Sequence, residues 1–263
     1  MEKKNMKPSI SILGCGWLGI PLSTTLLKAG YPVKGSTTSP AKLKELTKLG
    51  LHPYVIDLHN RKDRNHFLNA DILIIAVPHK NIDNFKFLRT QIKNSQINRL
   101  IFISSTSVYP NTNGEVTEKS QTLPTPLANI ESIFSNISGI QTTIIRFAGL
   151  FGGDRKPGLF FRDDSLIKNP DGFINLIHLD DCIQIIKTLI EKNIWNQVFN
   201  ACADTHPSRR EYYTQEMQKE GRKPPVFDNT KASEYKIVSN DKLKKHLNYQ
   251  FKHPDLTHFI EPK

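Results

Sequence analysis

Three stretches of this 263-residue chain have residue types and spacings that suit chemistry. The first is Gly14-Cys15-Gly16-Trp17-Leu18-Gly19, with glycines in the pattern G-x-G-x-x-G. Gly14 permits a tight turn, Gly16 lets backbone N–H groups approach a pyrophosphate, and Gly19 lets a following helix pack closely with its N-terminus toward the anion. The backbone at Trp17 and Leu18 belongs to the same cradle. The second stretch is Ser104-Ser105-Thr106-Ser107-Val108-Tyr109, a run of hydroxyls ending in a phenol. The third is Ala76-Val77-Pro78-His79-Lys80, where an imidazole that titrates near neutrality follows an apolar run.

The elements that position these groups read as alternating strands and helices. Ile10 to Leu13 is an apolar strand feeding the glycine turn, and Leu22, Leu26 and Leu27 follow at helical spacing up to a stop at Gly30. Tyr31 to Gly35 is the second strand, after which Ser39 caps a helix with Pro40 at its first position. Tyr54 to Asp57 is the third strand. Ile72 to Val77 is the fourth, apolar throughout and therefore buried on both faces of a parallel sheet. Leu100 to Ile103 is the fifth. In open α/β sheets ligands bind beyond the carboxyl ends of the strands, where Ala76, Val77, Pro78, His79, Ser105 and Tyr109 all fall.

Further along, a helix is expected from Leu127 to Ile137, a strand from Ile144, and a helix from Cys182 to Lys192 with Asp180 as its N-cap. Trp195 to Ala201 reads as the last core strand. Thr205 to Tyr212 starts another helix, Tyr235 to Val238 is a short strand, and Asn240 opens a final helix ending near Leu247. The expected fold is a doubly wound parallel α/β sheet over residues 1–202, a dinucleotide-binding Rossmann fold. Within it 153–173 contribute to a substrate cleft, and a small α+β lobe over 203–263 binds substrate.

Composition narrows the partners. Residues 1–110 carry 16 Lys and Arg against 6 Asp and Glu, whereas 111–263 carry 20 against 19. The basic excess therefore sits in the nucleotide-binding half, as a solvated surface that can assist capture of an anion. No aromatic-rich basic motif accompanies it, so nucleic acid is not an expected partner. No apolar run is long enough to span a membrane, and the basic start at Lys3, Lys4 and Lys7 runs into glycines and Pro21 instead of a signal-peptide core. The three cysteines, Cys15, Cys182 and Cys202, have neither disulfide-framework nor metal-site spacing. The expected setting is reducing cytoplasm, without a metal, and the expected partner is a small molecule bound by a monomer or homodimer.

The cofactor reading turns on an absence. An acid at the end of the second strand would hold the ribose 2′-hydroxyl of NAD, but the run here is Gly35-Ser36-Thr37-Thr38. Hydroxyls at Ser36, Thr37 and Thr38, with Lys34 and Lys42 nearby, suit a 2′-phosphate, so NADP is favoured over NAD.

Taken in order, the motifs resemble the extended short-chain dehydrogenase/reductase superfamily, and within it the atypical NAD(P)-dependent epimerase/dehydratase-like proteins. The resemblance rests on the glycine turn, on Ser104 to Tyr109, on Ile144 to Gly152, and on Ile177-His178-Leu179-Asp180-Asp181 before a helix. It implies that Ser105 holds the catalytic Ser/Thr place and that Asp57 faces adenine. The chain departs from the family at its Tyr-x-x-x-Lys pair, since no tyrosine occurs between Tyr109 and Tyr212 and the expected helix carries Glu131. Losing a positioned general acid forfeits about 10²–10⁴ in rate. Tyr109, beside Ser105, ranks first as replacement, His79 second, with Lys80 a further candidate.

Asparagine and arginine residues that bind nucleotide diphosphosugars in the family are replaced here by Gly149 and Ile174. Arg155 and Lys156, and in the lobe Arg209, Arg210 and Tyr212, stand as the contacts for a small polar substrate, with a nucleotide- or sugar-linked one among the readings. The leading function is an oxidoreductase or epimerase/dehydratase-like enzyme. The alternative is an NAD(P)-binding sensor or partner-binding protein whose chemistry has lapsed. A β-hydroxyacid-type dehydrogenase, drawn from the glycine turn plus Ala76-Val77-Pro78, needs a large all-helical second half that strands at Ile144 and Val198 oppose.

Overall fold

Strand and helix alternate along the computed structural model, which describes residues 7–257, so that Lys3 and Lys4 lie outside the described residues. In order these are β1 (Ile10–Leu13), α1 (Gly19–Lys28), β2 (Val33–Thr37), α2 (Leu43–Lys48), β3 (His52–Val55), α3 (Asn65–Leu68), β4 (Ile72–Ile75) and α4 (Ile82–Lys93). Next come β5 (Arg99–Ser105), β6 (Glu115–Val116), α5 (Pro126–Ser135), β7 (Gln141–Phe147), β8 (Gly149–Phe151), β9 (Leu166–Ile167), β10 (Leu176–His178) and α6 (Leu179–Glu191). The chain closes with β11 (Val198–Ala201), α7 (Arg209–Lys219), β12 (Val226–Phe227), β13 (Ile237–Val238) and α8 (Asp241–Leu247).

Seven strands form one parallel sheet in the order β11-β7-β5-β4-β1-β2-β3. From β1 the chain builds outward to β3 and then returns to place β4 on the other side of β1. The glycine turn therefore leaves β1 at the point where the strand order reverses, the crevice that doubly wound sheets use for ligands. All four residues of β4 are fully buried, as their unbroken apolar run requires.

Three elements sit differently from the expectation, the first being β3, which spans His52–Val55 instead of Tyr54 to Asp57 and leaves Asp57 beyond its end. β2 begins at Val33, because its ladder runs through Ser36↔Tyr54 and Thr37↔Val55, so both hydroxyl residues lie inside the strand. α6 begins at Leu179, which puts Asp180 in its first turn; the cap is the ring of His178, whose Nδ1 accepts the Asp180 N–H at 3.1 Å.

By packing, the chain forms two compact units. The first comprises residues through Ser104, Pro124–Ile145 and Ile186–Val198, and the second Ser105–Leu123, Arg146–Ile185 and residues from Phe199 on. The division interleaves along the chain, where the sequence reading draws one cut after residue 202. The first unit's core is built on Phe85, Phe102 and Phe134, with ring centroids 5.3–6.2 Å apart. Burying each such ring contributes about 1.5–3 kcal/mol relative to exposure.

The second unit holds three parallel strand pairs, β8–β10, β9–β12 and β6–β13. Its core gathers Phe151, Ile174, Leu176, Tyr212 and Leu256. α7 is fixed at its start by a capping box, Ser208 with Glu211. A Cβ on Gly158 would stand 2.3 Å from the Glu216 carbonyl of that helix, so the loop can approach only through glycine.

Candidate functional site

The glycine turn has two closed positions and one open one. Gly14 has φ +106°, and a Cβ there would meet the Ala76 carbonyl at 2.6 Å and Val77 Cγ1 at 2.7 Å. A Cβ on Gly19 would lie 2.1 Å from the Gly14 carbonyl. Gly16, in contrast, is exposed, and its Cβ would meet nothing within 4 Å. The turn is pinned from β2 by Gly14 N–H to Ser36 Oγ (3.0 Å) and Cys15 N–H to the Ser36 carbonyl (2.7 Å). Gly19 opens α1, in whose first turn the Ile20 N–H donates to the Gly16 carbonyl at 3.0 Å and the Leu22 N–H to the Leu18 carbonyl at 3.1 Å. An open face at Gly16 beside a helix N-terminus fits a pyrophosphate, with Gly16, Leu18 and Gly19 as the backbone that would hold it and Gly14 shaping the turn.

At the end of β2 the expected 2′-phosphate site is only partly assembled. Ser36 is buried and spends its hydroxyl on the turn, and Thr37 Oγ1 accepts the Ser39 N–H at 3.2 Å. The ammonium of Lys34 is held by the carbonyls of His66 (2.7 Å) and Asn69 (2.6 Å), a position no phosphate contact requires. Thr38 and Lys42 remain exposed. Asp57 accepts the His59 N–H at 2.9 Å and, with Thr38, Tyr54 and Arg64, lines a cavity of about 330 Å³.

His79 follows β4 and lies edge-on to the rings of His59 (4.8 Å) and Phe85 (5.5 Å), with Nε2 2.9 Å from Asn84 Nδ2. Burial first, and His59 second, lower its pKa from the ordinary imidazole value. Ala76 and Val77 are half-buried, and Pro78 and Lys80 are exposed.

In the second unit Ser105 ends β5, and its hydroxyl accepts the Ser107 N–H at 3.1 Å. It lines a polar cavity of about 390 Å³ together with Asn111, Asn175, Arg209, Tyr235 and Lys236. Of the other expected substrate contacts, Arg210 is paired with Asp171 (3.0 Å) and Asn229 (2.8 Å), Lys156 is paired with Glu220 (3.2 Å), and Tyr212 is 2% exposed.

Tyr109 lies inside the second unit. Its side chain is 1% exposed; the hydroxyl donates to Asn200 Oδ1 at 2.9 Å and accepts from Arg146 Nη1 at 2.6 Å. Burial raises its pKa above the usual phenol value despite the arginine. The phenol is thus an internal hydrogen-bonding group, not a loop residue facing a ligand.

A feature missed from sequence is the contact of Ser104 Oγ with Glu131 Oε1 at 2.5 Å, both groups buried. A lone acid in the apolar helix segment Leu127 to Phe134 was its available signal. His178, Asp180 and His253 also come together, with His253 Nε2 3.3 Å from Asp180 Oδ2. Lys252 pairs with Asp180, His178 Nδ1 is used as the helix cap, and its Nε2 lies 2.4 Å from where a Gly152 Cβ would be.

This fold and turn define a class, and the comparisons agree. Residues 9–125 match the family of the NAD binding domain of 6-phosphogluconate dehydrogenase, so this part of the chain is an NAD-binding Rossmann domain. Beyond it β7 and β11 continue the sheet, so the second half is not the all-helical one that a β-hydroxyacid-type dehydrogenase needs. Protein YeeZ of Escherichia coli strain K12 is 32% identical over 267 residues, 94% of this chain and 96% of that protein. The chain belongs to the YeeZ family.

Among solved structures, a conserved protein of unknown function from Silicibacter pomeroyi superposes with TM-score 0.81 at 19% identity, covering 95% of this chain and 96% of that one. UDP-glucuronic acid 4-epimerase from Bacillus cereus, in complex with NAD, gives TM-score 0.75 at 20% identity and 95% coverage of both chains. At such identities the likeness is one of fold. Among the described residues no helix is long and apolar enough to cross a membrane.

Proposed function

We propose that the chain is an NAD(P)-dependent oxidoreductase or epimerase/dehydratase-like enzyme of the extended short-chain dehydrogenase/reductase kind, acting on a small polar substrate. The observation that carries this reading is Ser105, in the family's catalytic Ser/Thr place, lining a polar cavity with basic and amide groups. When bound, the nicotinamide cofactor supplies the hydride carrier. The glycine turn holds its pyrophosphate through backbone amides, Asp57 faces adenine, and Ser105 donates a hydrogen bond to the substrate oxygen. The preference for NADP rests on the missing ribose-binding acid, with Lys42 exposed nearby and Lys34 engaged by the His66 and Asn69 carbonyls. A small molecule, not nucleic acid or membrane, is the partner this reading needs.

The test is oxidation of NADPH, followed by absorbance, with a panel of small carbonyl-bearing acids and nucleotide sugars. Ser105→Ala is expected to slow the best member by about 10–10²-fold, the worth of one hydrogen bond to a charged oxygen. A wild-type rate in that variant removes Ser105 from the chemistry. A second reading, a dinucleotide-binding protein without turnover, is favoured by the burial of Tyr109 and by Glu131 on the helix where the family's Tyr-x-x-x-Lys pair would stand. Cofactor binding with no oxidation across the panel would select it.

A further inference from the structure

Two cations in the second unit line one cavity, and neither has an ion pair among the described residues. Arg209 is half-buried at the start of α7. Its Nε donates to the Lys168 carbonyl at 2.9 Å, and the rings of Tyr213 (5.3 Å) and Phe161 (6.0 Å) flank the guanidinium. Those contacts hold the group in place and leave Nη1 and Nη2 without a hydrogen-bond acceptor among the described residues. Its neighbour Arg210 shows the contrast, being neutralised by Asp171 at 3.0 Å.

Lys236 is also half-buried, and its ammonium donates to the Tyr109 carbonyl at 2.8 Å with no ion pair among the described residues. Burial alone pulls its pKa below the ordinary lysine value. The same cavity, about 390 Å³, presents Asn111, Ser105 and Ser107, and its single acid, Glu234, is exposed. A guanidinium held through Nε, with no protein acceptor on Nη1 or Nη2 among the described residues, presents a planar fork that matches a carboxylate or phosphate in bidentate fashion.

We infer that Arg209 and Lys236 form an oxyanion site, which binds the carboxylate or phosphate of a small ligand in this cavity. The identification of that ligand as the substrate rests on the function proposed above; the site itself does not. Ser105, which lines the same cavity, then meets another polar group of the ligand.

Calorimetry at low ionic strength tests this on the full chain, with inorganic phosphate in one arm and succinate in the other, each followed by NADPH. At least one anion is expected to bind the wild type saturably, and the arm that binds tells phosphate from carboxylate. Arg209→Gln should weaken that binding at least tenfold and Lys236→Met several-fold. Arg210→Gln, whose guanidinium already has its carboxylate, should change it less than twofold. No saturable binding of either anion by the wild type, or equal binding by Arg209→Gln, overturns the site. NADPH affinity serves as the separate readout. Anion binding lost in Arg209→Gln with NADPH binding retained supports the site in a folded protein. Anion binding by a wild type that takes no NADPH keeps the site while the function reading fails.

Discussion

Tyr109 shows how far a side chain's role depends on partners distant in sequence. The run from Ser104 to Tyr109 marks a strand end, and Ser105 stands there as expected. The burial of the phenol is decided by Arg146 and Asn200, 37 and 91 residues away, which no local pattern connects to it. Tyr109→Phe keeps the ring and removes the hydroxyl, so a buried arginine donor and amide acceptor lose a shared partner. We expect the variant to lose about 1–3 kcal/mol in denaturant unfolding, with NADPH affinity unchanged. Unchanged stability together with lost hydride transfer would return the phenol to the chemistry. The glycines were legible in a way Tyr109 was not, because Gly14 and Gly19 are excluded from other residues by contacts within their own strand–turn–helix segment and the neighbouring β4 end.

Among the elements, the strands could be read because continuous apolar runs admit few alternatives, and β1, β4 and β5 lie where Ile10, Ile72 and Leu100 begin them or nearly so. Ends were less legible. β2 is extended through Ser36 and Thr37 by its pairing with β3, a tertiary effect, and α6 starts early because a histidine ring replaces the usual aspartate as cap.

That cap has a pH consequence. Burial, with His253 adding to it, lowers His178 from an ordinary 6.5 to about 4. Its neutral ring therefore contributes stability in full above about pH 6.5. The contribution is lost as pH falls toward 4, since the unfolded chain takes up the proton first. His79 and His206 are shifted in the same direction. Unfolding measured between pH 7 and 4 should show stability falling by on the order of 1–3 kcal/mol from His178, and His178→Asn, which keeps an acceptor for the Asp180 amide, should flatten that fall. An unaltered pH profile in the variant would mean that another group controls it.

At the scale of the whole chain, strand order is decisive: β1 lies where the order reverses, and the open glycine of its turn, Gly16, comes just after it. The alternation of strand and helix made this sheet legible from sequence, whereas the interleaving of two units did not emerge, because it depends on the pairs β6–β13, β8–β10 and β9–β12, most only two residues long. The central claim is that the turn at Gly16 binds a dinucleotide. Calorimetric titration of NADPH and NADH into the wild type and Gly16→Val tests it most directly. A valine side chain enters open space at a backbone angle that tolerates it, so the variant should melt with the wild type yet bind neither cofactor detectably, while the wild type binds NADPH more tightly than NADH. Equal or tighter NADH binding would overturn the NADP preference alone, and a Gly16→Val protein that binds cofactor like the wild type would contradict the central claim itself.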